Sequence, residues 1–427
     1  MTEVKSTTGE ADPTLATGVS SDLADERLIQ TQGLAGYGRL FLNRLKGGDL
    51  GSLPVVVGLL IISVVFASLE PRFLSSFTIM NILQFAAPVG IISLGIVLVL
   101  LLGEIDLSVG SVSGLAAATM AVLVVNQGWS ITLAMVAAVA VGLVIGSGYA
   151  LLYTRIGVPS FVFSLAGLLG FQGALLYVLG SDGTINLPDE SWLVQFARFK
   201  FVTGLPSYLL VVLIAVGYFA AQYYGIQRRR SADLSAPSLT MVGIRTGLLG
   251  LGLLALVWYL QQGQGRGVGY LVLLFAALVV LMDLVLRKSR WGRHVFAVGG
   301  NVEAARRSGI KVDRVYFSVF ALCSMLAALG GLMAAAQLTS VSQSSGTTDT
   351  NLTAIAAAVI GGTSLFGGRG SAYAALLGIL VLQAITSGLN IIGVDSSVRF
   401  MVTGGVLLLA IAIDSVSRRA RSSSGRG

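Results

Sequence analysis

The chain has 427 residues, of which 55% are hydrophobic and only 11% charged, with a mean hydropathy of +0.84 and a net charge of +8. A soluble domain carries about 25% charged residues, so this composition excludes an ordinary soluble protein and points to a membrane protein. A single cysteine, Cys323, and a single histidine, His294, exclude intrachain disulfides and His-rich metal sites.

Residues 1–38 are polar and lack apolar periodicity, which predicts a disordered cytoplasmic tail. No apolar core follows the start closely enough for a cleavable signal peptide. Arg39, Arg44 and Lys46 then mark the inner edge of the first span, and 39–418 reads as one transmembrane domain, with 419–427 a cytoplasmic tail.

Apolar runs follow at roughly 53–69, 84–102, 109–126, 131–153, 160–180, 205–224, 246–262, 268–286, 315–337, 352–366, 371–391 and 398–413. These are helix-length, so the fold class is an all-α polytopic membrane protein with about 10–12 transmembrane helices. The run at 352–366 is short enough for a half-helix, and the Gly- and Ala-rich run at 109–126 suits packing inside a bundle. With the N-terminus inside, only Arg72, Arg198, Lys200, Arg266 and Arg399 fall in outer segments; every other Lys and Arg lies inside. That bias puts both termini in the cytoplasm and fits the basic charge to a membrane surface, with no nucleic-acid partner implied.

Two breaks interrupt this pattern. Residues 103–111 read Gly-Glu-Ile-Asp-Leu-Ser-Val-Gly-Ser and place Glu104, Asp106 and Ser108 between two uncharged runs. An interrupted span in lipid needs protein or water to satisfy its backbone, and acids there point to function. The plainer alternative is a polar turn with Asp106 or Ser108 as helix N-cap. A second break, near 361–371, carries Thr363, Ser364 and Phe366 and repeats the order apolar run, Gly, polar pair, Leu, Gly-Ser, Ala-rich run. The echo suggests two weakly related halves, near 84–180 and 315–413, with 205–286 inserted between them, and paired interruptions mark transport pathways. Phe171, Gln172, Tyr177 and Gln383 join the candidates for a substrate pathway, with core packing as the alternative for each.

The cytoplasmic loop 287–314 predicts a short helix over 302–308. Asn301 is a good N-cap, Glu303 sits in the first turn, Arg306 and Arg307 in the last, and Gly309 suits the C′ position after Ser308. Gly299 and Gly300 ahead of it read as a hinge, so the loop reads as a docking element rather than a plain positive-inside loop. No phosphate-binding Gly-x-x-x-x-Gly-Lys-Ser/Thr loop occurs, and one histidine cannot support a nucleophile–His–Asp set. Carboxylates buried mid-span are scarce, which disfavours the alternative of an ion-coupled secondary carrier for a small polar solute.

Three segments now carry a resemblance: Glu104-Ile-Asp-Leu-Ser-Val-Gly-Ser; Val298-Gly-Gly-Asn-x-Glu-Ala-Ala-Arg-x-Ser-Gly-Ile; and Val359-Ile-Gly-Gly-Thr-Ser-Leu-x-Gly-Gly-x-Gly-Ser. Together they resemble the signatures of bacterial ABC-type monosaccharide permeases, over about 53–415. Glu104 and the extra span material at 205–262 are most similar to the D-xylose-transporting members. The long polar N-terminal tail departs from that pattern. The resemblance implies a homodimeric permease in the bacterial inner membrane that catalyses nothing itself and binds no cofactor. ATP would be used by a separate subunit with two nucleotide-binding cassettes, and an extracytoplasmic sugar-binding protein would deliver the monosaccharide. It also implies ATPase coupling by Gly299, Gly300, Asn301, Glu303, Ala304, Ala305, Arg306, Ser308 and Gly309.

The cation distribution yields a topology test. A membrane-impermeant thiol reagent added outside should label Glu190→Cys and spare Arg230→Cys; the reverse pattern would invert the assignment.

Overall fold

The computed structural model describes residues 53–232, 234 and 236–423, so the tail expected at 1–38 lies outside the described residues, as do 424–427. Every apolar run is a helix. In chain order they are α1 (Leu53–Leu69), α2 (Ser76–Leu101), α3 (Val109–Val125), α4 (Ile131–Leu151), α5 (Ser160–Leu179), α6 (Leu205–Arg230), α7 (Leu239–Leu260) and α8 (Tyr270–Lys288). Two helices, α9 (Arg290–Gly300) and α10 (Val302–Arg307), occupy the loop 287–314; then come α11 (Val312–Leu338), α12 (Thr348–Ile360), α13 (Tyr373–Ile391) and α14 (Ser396–Ser423). Among the described residues, 8 helices are long and apolar enough to cross a membrane, while α1, α3 and the apolar part of α12 are shorter.

The chain divides into two units, and the described part of the first is 204–258, holding α6 and most of α7. Leu209, Val212, Leu213 and Val216 on α6 and Leu248 and Leu251 on α7 are exposed. Such apolar surface suits lipid.

The second unit, 50–203 with 259–427, contains the core and every motif. Its centre is α2, α3 and α11. Residues Leu94–Leu101 of α2 are all buried, on every face. A helix that is apolar all round belongs inside a bundle. Small residues set the spacing around α11: Cβ atoms on Gly142 and Gly146 of α4 would collide with the backbone of α11 at Ser324 and Phe320. Without those side chains the helices approach closely, which is how packing is gained where lipid offers no hydrophobic drive.

One end of this unit is closed by two antiparallel ribbons: β1 (Thr184–Asn186) pairs with β4 (Ser340–Ser342), Ile185 opposite Val341, and β2 (Phe201–Val202) pairs with β3 (Val268–Gly269). Arg198 donates to Thr339 Oγ1 at 3.1 Å beside them. The other end of α11 begins just past α10, so β1 and α10 stand at opposite ends of that helix.

The α4–α11 contact gives a controlled stability test. Gly146→Leu should cost about 1–3 kcal/mol by overpacking. Gly148→Leu, two residues along, has nothing within 4 Å of its Cβ and should be near neutral. Melting of the detergent-purified protein, read by fluorescence-detected gel filtration, separates the two; equal melting points would deny the close packing.

Candidate functional site

The three motif segments meet. Helix α2 ends at Leu101, whose carbonyl accepts the amide of Gly368 in the second break at 2.9 Å. Gly299, near the end of α9, lies against the same carbonyl, and a Cβ there would collide with it and stand 2.9 Å from Gly368 N. Gly367 has φ +81, and a Cβ on it would lie 2.6 Å from Gly299 O and 2.9 Å from Gly103 N. So 101–103, 299–300 and 367–368 touch backbone to backbone, with no side chain between them. Gly299 and Gly300 are helical rather than a free hinge; Gly299 is needed for proximity, while a Cβ on Gly300 would meet nothing within 4 Å.

Beyond this junction the first break is braced by α4 and by the helical turn Leu152–Ile156 that follows it. Glu104 Oε1 accepts from the Tyr153 hydroxyl at 2.6 Å, and the Tyr153 ring lies 4.4 Å from that of Tyr316 on α11. Asp106 is buried; its Oδ1 accepts from the Ser108 amide at 2.8 Å and hydroxyl at 2.7 Å, and its Oδ2 has no partner. The Ser108 hydroxyl accepts in turn from Tyr149 at 2.8 Å. Ser108 is the N-cap residue of α3, but its side chain does not cap; the carboxylate folds the turn that starts the helix. Asn351 of α12 supplies a missing partner across the bundle, its Oδ1 accepting from the Gly110 amide.

In the second break Thr363 is buried with its hydroxyl unpaired, Ser364 Oγ accepts the Phe366 amide at 3.2 Å, and the Phe366 side chain is exposed. Asp283 of α8 accepts from Arg287 at 2.8 Å and from Ser371 at 3.4 Å, tying that helix to the break. Phe171 packs its ring 6.1 Å from Tyr149, Gln172 is half-buried beside it on α5, and Tyr177 is 89% exposed. Of the sequence candidates, Glu104, Asp106, Ser108 and Phe171 gather around Tyr149 and Tyr153, and Thr363, Ser364 and Phe366 lie in the second break, while Tyr177 and Gln383 join neither group.

Helix α10 is presented outward. Asn301 caps it through Oδ1 to the Ala304 amide at 2.9 Å, Glu303 pairs with Arg307 at 3.2 Å, and Gly309 closes it at φ +83. Glu303, Ala304, Arg306 and Ser308 are exposed, whereas Ala305 is buried in the bundle's own core.

A cavity of about 260 Å³ opens between α2, α3, the last two turns of α11 and the chain from Ser340 to Thr350. None of the sequence candidates lines it. Most of its hydroxyls come from the run Ser340-Val-Ser-Gln-Ser-Ser, with Ser113 and Thr350 beside them, and only that density of serines at a span's end signalled it in the sequence. Tyr149, Tyr153 and Asn351 were invisible for another reason, since their partners lie 41 to 241 residues away.

Comparison with known proteins gives a family and relatives. Residues 78–411 match the model of the branched-chain amino acid transport system / permease component family. The chain is 33% identical over 378 residues to the xylose transport system permease protein XylH of Escherichia coli K12, covering 88% of this chain and 94% of that one. It is 32% identical over 379 residues to XylH of Haemophilus influenzae, covering 88% and 99%. It is 32% identical over 368 residues to the ribose import permease protein RbsC of Bacillus subtilis, covering 86% and 94%. No solved structure matches significantly.

The junction predicts a local opening. Gly299→Ala should speed amide exchange in 362–369, where Gly368 loses its acceptor, while Gly300→Ala should not. Hydrogen-exchange mass spectrometry reads both, and unchanged protection in Gly299→Ala would dissolve the junction.

Proposed function

The chain belongs to the branched-chain amino acid transport system / permease component family, and within that family we propose that it is the membrane subunit of an ATP-driven monosaccharide importer, with D-xylose as the first candidate substrate. The substrate class follows the two kinds of sugar permease it is similar to. On this reading two copies form the pore, an extracytoplasmic binding protein delivers the sugar, and a separate ATPase subunit with two nucleotide-binding cassettes supplies the energy. The chain sits in the bacterial plasma membrane with both termini and α10 in the cytoplasm.

The observation that carries the reading is the position of α10. It is short, capped at both ends and exposed, yet bound to the transport core from both sides. Upstream, Gly299 stands against Leu101 and Gly368. Downstream, only residues 308–311 separate it from α11. A push on α10 therefore reaches both broken spans through backbone contacts, and reaches α11 directly. Stiff elements with few side chains between them transmit displacement with little loss, because packed interiors are not continuously deformable.

Ionised groups inside the bundle fit this reading better than ion coupling. Among the described residues, the buried carboxylates are Asp106 and Asp283. Asp283 is paired with Arg287, and Asp106 is engaged in starting α3.

Ala304 is the residue to test, because it is exposed while Ala305 points into the core. Ala304→Arg should abolish co-purification of the ATPase subunit, while the permease reaches the membrane in normal amount; arginine is a good helix former, so the helix itself persists. Normal ATPase yield with this variant would remove α10 from the coupling role.

A further inference from the structure

We propose that the cavity beside the end of α11 is the membrane-stage binding site for a neutral polyhydroxylated solute, with Gln337 donating a hydrogen bond to it. The proposal rests on the importer reading above and names where in the chain the sugar is held.

The cavity is polar without being charged. No Asp, Glu, Lys, Arg or His lines it. Its polar atoms come from hydroxyls and one amide, and they offer both donors and acceptors. Ser113 Oγ donates to the Gly110 carbonyl at 2.6 Å and keeps its lone pairs. Ser345 Oγ accepts from the Ser342 amide at 3.0 Å and keeps its proton. Gln337 is 7% exposed and lines the cavity, and its Nε2 has no hydrogen-bond partner. A buried amide left unpaired is costly, so it marks where a ligand oxygen belongs. The Phe85 ring on α2 adds an apolar face, as the C–H side of a sugar requires.

Size and charge narrow the ligand. About 260 Å³ lies below the roughly 300 Å³ at which drug-sized sites begin, which suits one sugar ring. The family model is named for branched-chain amino acids, but an amino acid zwitterion carries two full charges. Burying those charges without partners costs far more than burying hydroxyls that find hydrogen bonds. A lining of hydroxyls and one amide therefore favours the sugar.

The walls are shaped for this space. A Cβ on Gly114 would collide with Ser345 O and one on Gly346 with Gly110 O, forcing α3 and the serine loop apart, and one on Gly331 would strike Ser113 O. Thr339 turns the chain into β4 at φ +57, a backbone state that a β-branched residue rarely adopts. It is held there by Leu187 N, which donates to its carbonyl, and by Arg198. Strain of this kind persists where the surroundings fix a site's geometry.

The test uses the permease reconstituted with its ATPase and binding protein. Ser344→Cys places a reporter thiol at the cavity; the native Cys323 is buried, and the wild-type protein gives the background. D-xylose should slow labelling of Ser344→Cys by a small thiol reagent several-fold, and L-leucine should not. Adding Gln337→Leu, which keeps the shape but removes the donor, should raise the D-xylose concentration needed for protection about tenfold. Normal ATPase co-purification with Gln337→Leu verifies that it folds. Protection by L-leucine instead of D-xylose overturns the ligand class. Wild-type import of D-xylose with no protection by either solute overturns the cavity and leaves the importer reading standing. Failure of the wild-type complex to import any sugar takes down both.

Discussion

Backbone groups freed by an interrupted helix have no water to turn to inside a bilayer, and the core of this protein is arranged around that constraint. Each half supplies partners to the other. The last carbonyl of α2 accepts from the Gly368 amide in the second break, and the Gly110 amide in the first turn of α3 donates to Asn351 Oδ1 on α12. Each break also turns back on the helix it leaves, Glu104 N donating to Val99 O and Thr363 N to Ala358 O, and the contacts between the breaks take up groups left over. The α2–α3 pair and the α12–α13 pair are thus joined by backbone hydrogen bonding as well as by close packing of small residues.

That arrangement explains where the glycines are. Gly299 and Gly367 exclude side chains so that peptide units can meet, and Gly142 and Gly146 do the same for α4 against α11. Contacts of this kind leave little slack. A side chain can change rotamer to absorb a small displacement, but a peptide plane cannot. Helix α11 joins the two ends of the second unit as one unbroken element from Val312 to Leu338. Val312 to Gly331 spans about 28 Å at 1.5 Å per residue, and that distance separates the start of the helix from the cavity wall. The element next to α10 is also the element that shapes the cavity.

Much of this was legible in the sequence, and the reason is locality. The apolar runs, the interruption at Glu104–Ser108 and the cap Asn301 with Gly309 depend on residues within a few positions of each other, and all stand where the sequence puts them. The site was less legible. Nothing local says that Gly299 faces Leu101, so a helical contact residue read as a hinge. Ala304 and Ala305 are identical in sequence, and only the bundle distinguishes the exposed one from the buried one. The clustering of Glu104 with Tyr153 and of Ser108 with Tyr149 needs α4 folded back on the break.

The cavity shows the limit most clearly, and it also bears on how a permease chooses its cargo. Charged residues draw attention in an apolar sequence because burying them is expensive, so Glu104 and Asp106 stood out and a run of serines did not. Asp106 accepts from the backbone and hydroxyl of Ser108, two residues along, and so shapes the turn that starts α3. The cavity is polar by hydroxyls and one amide, groups that cost little to leave wet and form many weak bonds when a sugar replaces water. Such a lining holds its cargo loosely, and loose holding is what a conduit requires, since a solute bound tightly at the middle of its path would not leave. On the proposed reading, affinity resides in a partner that captures the sugar outside, and a push on α10 at the far end of α11 would drive release.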